Sequence, residues 1–350
     1  MEEWKEYKLE EVCSRLRSGK GIKSDCISNI GLFPVIGGNG MRGYTNKSNF
    51  KGECAVIGRQ GANCGNVRFF MGEAYMTEHA VVAVGNELAD SYFLARLLSL
   101  MHLGNLSAQS AQPGLSIQTL SKQIIRLPSI SYQREISTVL KSLDDKIELN
   151  RRINDNLEQQ AQALFNEMFP HITEGENMIG DLIMPKRGKG LLSKNAIKGD
   201  IPVVAGGIEP ATYHNQANTT APVLTIAASG ANAGYINLWH IPVWASDSSY
   251  IDDSITPNVY FWYIMLKKRQ KEIFDAQVGS AQPHIYPKHI AELPMNVVFV
   301  EKIAEYNKIV TPIFEKKGQL FLESKRLTSL RDTLLPKLMS GELKINDINN

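Results

Sequence analysis

An internal duplication limits what this 350-residue chain can fold into more than any other feature. RSGKG at residues 17–21 returns as KRGKG at 186–190, and FPVIGG at 33–38 returns as IPVVAGG at 201–207. GANCGNV (61–67) returns as GANAGYI (230–236), and SYFLARLLSL (91–100) as NVYFWYIMLKK (258–268). SAQPGLS (110–116) returns as SAQPHIY (280–286), and Leu127-Pro128 as Leu293-Pro294. The separation stays between 166 and 170 residues throughout. Matches in one order at one offset mean that both halves follow a single structural plan.

Each copy opens with short runs of Val, Ile and Ala between glycines, which read as strands. In the first half these are 33–38, 53–61, 65–70 and 79–85, followed by a helix at 91–103. Residues 4–16 read as a short helix. Each copy then ends in a much longer helix. Residues 132–169 contain neither Gly nor Pro and stop at Pro170. Alternate steps of four and three pick out Ile136, Leu140, Leu143, Ile147, Asn150, Asn154, Leu157, Ala161, Leu164 and Met168. That is a heptad-type seam with a polar step in its middle. A buried Asn there fixes register or partner; the alternative is that Asn150 and Asn154 simply face solvent. About 36 residues at ~1.5 Å each make a rod of roughly 54 Å, which needs a second helix to cover its stripe. The chain repeats the helix over residues 301–335. Its apolar positions include Ile303, Tyr306, Val310, Ile313, Leu320, Leu327, Leu330 and Leu334, with a kink or late start expected at Pro312.

The predicted fold class is therefore α+β: two mixed, β-rich globular domains and two long helices in an internal repeat. The expected boundaries are domain 1–130, helix 131–170, domain 171–297, helix 298–345 and an unstructured tail 346–350.

Composition excludes several classes. Hydrophobic content of 43% and charged content of 21% suit a soluble globular protein. No run of 18 apolar residues occurs, and the start, MEEWKEYKLEE, is charged from its second residue. A cytoplasmic protein is expected. The four cysteines, Cys13, Cys26, Cys54 and Cys64, lack metal-site spacing and read as free thiols. No metal site is expected. Net charge is only +2, but residues 1–130 carry 14 Lys/Arg against 11 Asp/Glu, while 131–179 carry 5 against 9. The small local excess is a weak sign of phosphate contact.

No catalytic motif stands out. GKGIKS and GKGLLS fail the P-loop spacing, and neither H-E-x-x-H nor G-x-S-x-G occurs. No Pro-Pro dipeptide occurs either, which removes the Asn/Asp-Pro-Pro-aromatic signature of amino-group DNA methyltransferases. The suggestive residues lie in loops. G-A-N-x-G reads first as a hairpin turn in which Gly and Asn take positive φ. It could also present Asn63 or Asn232 to a base edge, beside Arg59 and Gln60, or Ser229 in the second copy. The loops after the double glycines, 39–52 and 208–220, are rich in Asn, Lys, Tyr and His, a mix suited to phosphates and bases. Candidate DNA contacts are Lys20, Asn39, Arg42, Tyr44, Lys47, Arg59, Gln60 and Asn63 in the first copy. In the second they are Lys186, Arg187, Lys189, Tyr213, His214, Ser229 and Asn232. SAQP reads as a turn that holds the preceding helix, with ligand contact by Gln112 or Gln282 the lesser reading. The frame repeats while the loop contents do not, so two readers of this kind would recognise different things.

The paired order of strand, double-glycine loop, G-A-N-x-G turn, SAQP, Leu-Pro and long helix resembles the specificity subunit of type I restriction–modification systems. LPSISYQREISTVLKSLDDKIELN (127–150) is similar to that family's central conserved region, and LRDTLLPKLMSGEL (330–343) to its ending. The resemblance implies two target recognition domains, each reading half of a split double-stranded DNA target. It implies that the two helices form an antiparallel coiled coil setting the spacing. It also implies two modification (methyltransferase) subunits docked on the helices, and restriction subunits completing the complex. S-adenosylmethionine, ATP and Mg are expected on those partners, with no cofactor and no catalytic residue in this chain. The alternatives are a stand-alone DNA-modifying enzyme and a helical scaffold without a DNA role.

Overall fold

The glycine-punctuated runs of Val, Ile and Ala form strands in both halves of the structure, a computed structural model that describes residues 2–107, 114–279 and 282–348. Two compact units result: Met1–Ile147 with Lys325–Asn350, and Glu148–Ser324. Each unit therefore takes one stretch of both long helices.

The first unit contains β1 (Lys5–Lys8), β2 (Cys13–Ser18), β3 (Phe33–Gly37), β4 (Gly40–Thr45), β5 (Phe50–Gly58), β6 (Val67–Met76) and β7 (Ala80–Gly85). Then come α1 (Ser91–Leu100), α2 (Ile117–Ser121), β8 (Ile124–Leu127) and the beginning of α3 (Ile130–Met168). Six strands form one sheet in the order β2-β7-β5-β6-β3-β4. Pairing is antiparallel except where β3 runs parallel to the end of β6, Val35 opposite Tyr75 and Ile36 opposite Met76. Burial of both sheet faces explains the continuous apolar runs. Ala55, Ile57, Val81 and Ala83 pack on Phe93, Leu94 and Leu98 of α1, while Cys54, Val56, Met76 and Val82 fill the other side. Asp90 caps α1 by accepting from the Phe93 amide at 2.9 Å. The fully buried Gln133 of α3 locks this cap. Its Oε1 accepts from the Asp90 amide (3.0 Å), and its Nε2 donates to the Leu88 and Pro128 carbonyls (2.9 Å each).

The second unit repeats the plan. It contains β9 (Asn177–Met178), β10 (Lys186–Arg187), β11 (Ile201–Val204), β12 (Thr212–His214), β13 (Val223–Ala227), β14 (Ile236–Trp239), β15 (Trp244–Ala245) and β16 (Ser248–Ile251). After them come α4 (Val259–Lys268), α5 (Gln270–Asp275), α6 (Pro287–Ala291), β17 (Pro294–Met295) and most of α7 (Val300–Ser340). The strand order is β10-β16-β13-β14 in one sheet and β12-β11-β15 in another. The single strand β6 of the first unit is here split into β14 and β15. Its two jobs remain: β14 pairs antiparallel with β13, and β15 parallel with β11.

The long helices pack within each unit. In the first, Asp144 of α3 accepts from Tyr92 and Arg96 of α1 and from Arg331 Nη1 of α7 (2.9 Å). After α7 comes α8 (Ile345–Ile348), whose Ile345 is buried and donates its amide to the Tyr132 hydroxyl at 3.3 Å. In the second unit, Glu158 of α3 accepts from the Tyr263 hydroxyl (2.8 Å) and pairs with Lys317 of α7. Tyr306 donates to the Ala161 carbonyl at 2.9 Å amid Phe165, Phe169, Phe261 and Phe314. The polar step is buried. Asn150 is fully covered, and its Nδ2 donates to Glu323 Oε2 (2.8 Å) and Ser324 Oγ (3.3 Å). Asn154 is partly buried, and its Oδ1 is enclosed without a hydrogen-bond partner among the described residues.

Several expectations are corrected. Residues 4–16 form β1, a single 3-10 turn (Leu9–Val12) and β2 instead of a helix. Antiparallel pairing of β1 with β8 and of β2 with β7 outweighs a weak helical pattern. The polar loop at 39–52 contains β4, and that at 208–220 contains β12. The helix expected at 301–335 does not start late at Pro312; α7 is continuous through Pro312, Gly318 and Pro336. Gly318 is required by a close approach, since a Cβ there would lie 2.7 Å from Cγ of His240. Beyond it the inward face includes Leu335 and Leu338, while Leu330 is 47% exposed. Residues 346–348 belong to α8 and are not a loose tail.

Candidate nucleic-acid interface

Glycine sterics and backbone hydrogen bonds bring several loops to one end of each sheet. In the first unit the Gly37-Gly38 turn lies so close to the β5–β6 turn that a Cβ on Gly38 would meet the His79 carbonyl at 2.6 Å and Gly58 Cα at 3.2 Å. The β5–β6 turn needs Gly61 (φ +79°) and Gly65 (φ +83°) in the left-handed region. A Cβ on Gly65 would also sit 2.0 Å from the Gly104 nitrogen. The matching glycines of the second turn are Gly230 (φ +81°) and Gly234 (φ +86°). Asn63 and Asn232 are not in that region, so glycine alone supplies the turn geometry.

The two ends share their hydrogen bonds, one for one. The Gly19 amide donates to Ala80 (3.0 Å), as Gly188 does to Ser248 (2.8 Å). Lys20 donates to Met76 (3.0 Å), as Lys189 does to Ala245 (2.9 Å). Arg59 donates to His79 (2.9 Å), as Ala228 does to Asp247 (3.1 Å). Gly65 donates to Gly58 (2.8 Å), as Gly234 does to Ala227 (2.7 Å). Leu115 donates to Arg59 (2.9 Å), as Ile285 does to Ala228 (3.0 Å). The repeat is thus a repeat of backbone geometry, on which unlike side chains are mounted.

In the first unit this frame gathers Lys20, Asn39, Arg42, Arg59, Gln60 and Asn63. Lys20, Asn39, Arg42 and Gln60 are exposed, while Arg59 and Asn63 are half-buried. Arg42 sits at a bulge, where the β3–β4 register jumps from Val35 opposite Gly43 to Ile36 opposite Met41. Such a bulge leaves one residue out of the ladder and re-aims its side chain. Tyr44 and Lys47 lie towards the other end of β4. Lys47 lines a cleft of about 490 Å³ with Gly21, Lys23, Asp25, Thr45 and Tyr75.

In the second unit Lys189, Arg187, Ser229 and Asn232 share the corresponding end. Arg187 and Lys189 are exposed, and Ser229 and Asn232 half-buried. Lys186, the next residue along β10, donates from Nζ to Ser254 Oγ at 3.0 Å. Tyr213 is 43% exposed on β12. His214 is buried, accepts the Ile197 amide on Nδ1 (2.9 Å) and meets Trp244 edge to face at 5.1 Å between centroids. Its ring is thus engaged in the interior of the unit. Gln112 lies outside the described residues. Gln282 is exposed, next to a turn in which the Gly230 amide donates to the Pro283 carbonyl (3.0 Å).

Three residues at these ends escaped the sequence reading. Arg68 is exposed, 3.5 Å from Asn39 Oδ1. His79 and Asp247 occupy matching places, and Asp247 pairs with Arg187 at 2.6 Å. The repeat offset could have located the last pair; nothing in the local sequence marks either residue. Chemically, each end combines cations with side-chain amides and guanidinium groups, donors and acceptors suited to phosphates and base edges, and the second end adds the Ser229 hydroxyl.

Comparisons with known proteins agree with this architecture. Residues 1–159 match the family model described as the type I restriction modification DNA specificity domain. The specificity subunit of the EcoprrI type I restriction enzyme of Escherichia coli is 37% identical over 134 residues. That match takes in 37% of this chain and only 33% of the E. coli subunit. A Mycoplasma pneumoniae protein, provisionally named a type I specificity subunit, is 26% identical over 352 residues, 92% of each chain. Among solved structures, the type I S subunit of M. genitalium shares the fold, with a TM-score of 0.64 at 22% identity over 96% of both chains.

Proposed function

The chain belongs to the specificity-subunit family of type I restriction–modification systems, and from that premise we propose that it reads DNA sequence for such a complex, one unit to each half of a split target. The observation that carries this reading is the hydrogen-bonded frame present twice, with different polar and cationic side chains on each copy. A fixed frame holds a reader against DNA, and a changed set of side chains changes what is read. Arg59, Gln60, Asn63, Arg42 and Lys20 are the readers and phosphate contacts of the first unit. Arg187, Lys189, Asn232 and Tyr213 are those of the second.

The long helices serve as spacer and dock. At 39 residues, α3 is about 58 Å long, enough to span the ~34 Å helical repeat of B-DNA. The polar step at Asn150 fixes the register of the helix pair. Two modification subunits and the restriction subunits dock on the helices and supply the chemistry, with S-adenosylmethionine, ATP and Mg on those partners. This chain supplies specificity and no catalysis of its own, and works in the cytoplasm. With a net charge of +2, much of the affinity for DNA comes from the assembled complex.

The test is an exchange of residues 1–130 for the corresponding domain of a relative, read as the methylated motif in genomic DNA. One half of the motif changes and the other stays. A motif altered in both halves, or in neither, overturns the reading.

A further inference from the structure

The second unit carries a side-chain cluster for which the first has no counterpart. Arg187, at the end of β10, donates from Nη2 to Asp247 Oδ1 at 2.6 Å. Asp247 Oδ2 accepts from the hydroxyl of Ser229, in the β13–β14 turn. Both carboxylate oxygens are therefore engaged, and the carboxylate is fixed from two sides. The backbone holds all three residues in place. Gly188 has no room for a Cβ, which would lie 2.4 Å from the Ala245 carbonyl, and Gly206 presses equally closely on the Ser229 carbonyl. Yet the cluster is open to solvent, with the Arg187 side chain 41% exposed and Asp247 39% exposed. Among the described residues, Nε and Nη1 of Arg187 make no further hydrogen bond.

Ordinary surface ion pairs add little to stability, so stability alone does not account for a guanidinium held this way. A guanidinium anchored through one nitrogen keeps a planar donor edge at a set angle and has less rotamer freedom left to lose on binding. The partner that such an edge fits in a DNA groove is guanine, whose O6 and N7 accept a bidentate pair. Phosphate is the weaker match. Asp247 cancels the charge of Arg187, so the pair together draws little from the DNA backbone's field and releases few counterions. Lysines such as Lys189 remain available for that. At the matching frame positions the first unit has Ser18, His79 and Gln60, which form no guanidinium–carboxylate pair.

We infer that Arg187 reads a guanine in the half-target met by the second unit, and that Asp247 and Ser229 are its positioning residues. The inference rests on the proposed function. It is tested on the assembled complex with its modification subunits, using duplexes in which each base pair of the target is replaced in turn, at several salt concentrations. The wild-type complex loses roughly 5- to 150-fold in affinity when one G·C pair of that half is replaced, the range of a bidentate guanidinium–guanine contact. R187K, which keeps the charge and loses the fork, abolishes that preference at the same base pair. It leaves the other half-target and the salt slope unchanged. D247N weakens the preference at that pair alone, which a general loss of folding would not do. Undiminished discrimination in R187K overturns the inference, as does uniform weakening at every base pair with a shallower salt slope, the mark of a phosphate contact. A wild-type complex that discriminates in both halves but at no guanine of the second also overturns it, while leaving the proposed function standing. A wild-type complex that discriminates nowhere refutes the proposed function itself.

Discussion

Gly318 lies in the middle of a 41-residue helix, where glycine costs about 1 kcal/mol relative to alanine. On helix propensity alone, Gly318→Ala stabilises the protein. The structure predicts the opposite. An added Cβ would meet Cγ of His240 at 2.7 Å, Nδ1 at 2.8 Å and Cβ at 2.9 Å. These atoms are near the root of the side chain, so His240 cannot yield by turning its tip, and the chain around it must move. Overpacking of this kind costs typically 1–3 kcal/mol. Setting that against the propensity gain gives a net destabilisation of zero to about 2 kcal/mol. The sign becomes decisive in a double-mutant cycle. In a His240→Gly background, which removes the Cβ at 2.9 Å as well as the ring, the clash is gone and only the propensity remains, so Gly318→Ala there stabilises by about 1 kcal/mol. Denaturant titration of the four proteins gives the coupling, expected at about 1–3 kcal/mol. A Gly318→Ala substitution that stabilises equally in both backgrounds refutes the argument, because Gly318 would then be only a weak point in the helix.

Two further predictions concern charge in the core of each unit. Asp144→Asn removes the carboxylate that collects Tyr92, Arg96 and Arg331, leaving two arginines about one-fifth exposed without their counter-charge. A loss of about 3 kcal/mol in denaturant titration is expected, whereas a loss below about 0.5 kcal/mol would class the cluster with surface ion pairs. His240 is held neutral by burial, which lowers its pKa from 6.5 to about 4. The unfolded chain therefore takes up this proton first, and the contribution of His240 is fully present above pH 6.5 and lost as pH falls towards 4. His240→Gln flattens the pH dependence of stability in that window, and an unchanged slope relative to wild type would contradict the assignment.

The duplication made most of the element order readable from the sequence. Strands β3, β5, β6 and β7 and the helix α1 follow directly from glycine-bounded apolar runs, and the second copy reinforces the first. What stayed hidden has particular causes. Lys5–Lys8 carries one half-buried residue, Tyr7, and becomes a strand only because Ile124–Leu127, more than 100 residues away, pairs with it. An a/d seam for α3 catches Ile136, Leu140 and Ala161 but misses Phe165 and Phe169, both buried. That seam supposes one partner helix, whereas in the second unit Phe165 and Phe169 also face Phe261 of α4, at 5.5 and 5.2 Å between ring centroids. Two neighbours require a wider apolar stripe. The departure of Leu330 from the inward face of α7 has a similar origin, because the stripe recognised from spacing did not follow Phe314, Leu335 and Leu338. At the candidate interface, His214 looked like a reader because its loop is polar, but position on β12 turns it inward.

Why glycines repeat while readers diverge follows from which atoms make the frame. Every matched hydrogen bond joins an amide to a carbonyl, and any residue other than proline supplies both. Those bonds place no demand on the side chain, so Arg59 and Ala228 can occupy one position, and His79 and Asp247 another. Glycine is demanded only where a Cβ has no room or where φ is positive, as at Gly61 and Gly230. Gly38 presses on the His79 carbonyl and Gly206 on the Ser229 carbonyl, and Gly65 and Gly234 meet neighbouring chain at positive φ. Selection on such a frame therefore holds the glycines and leaves the adjacent side chains free to change without loss of fold. Under the proposed function one architecture reads two unlike half-targets, which needs that separation of steric and chemical roles. The mixed cations of the first unit and the buttressed Arg187 of the second are two outcomes of it.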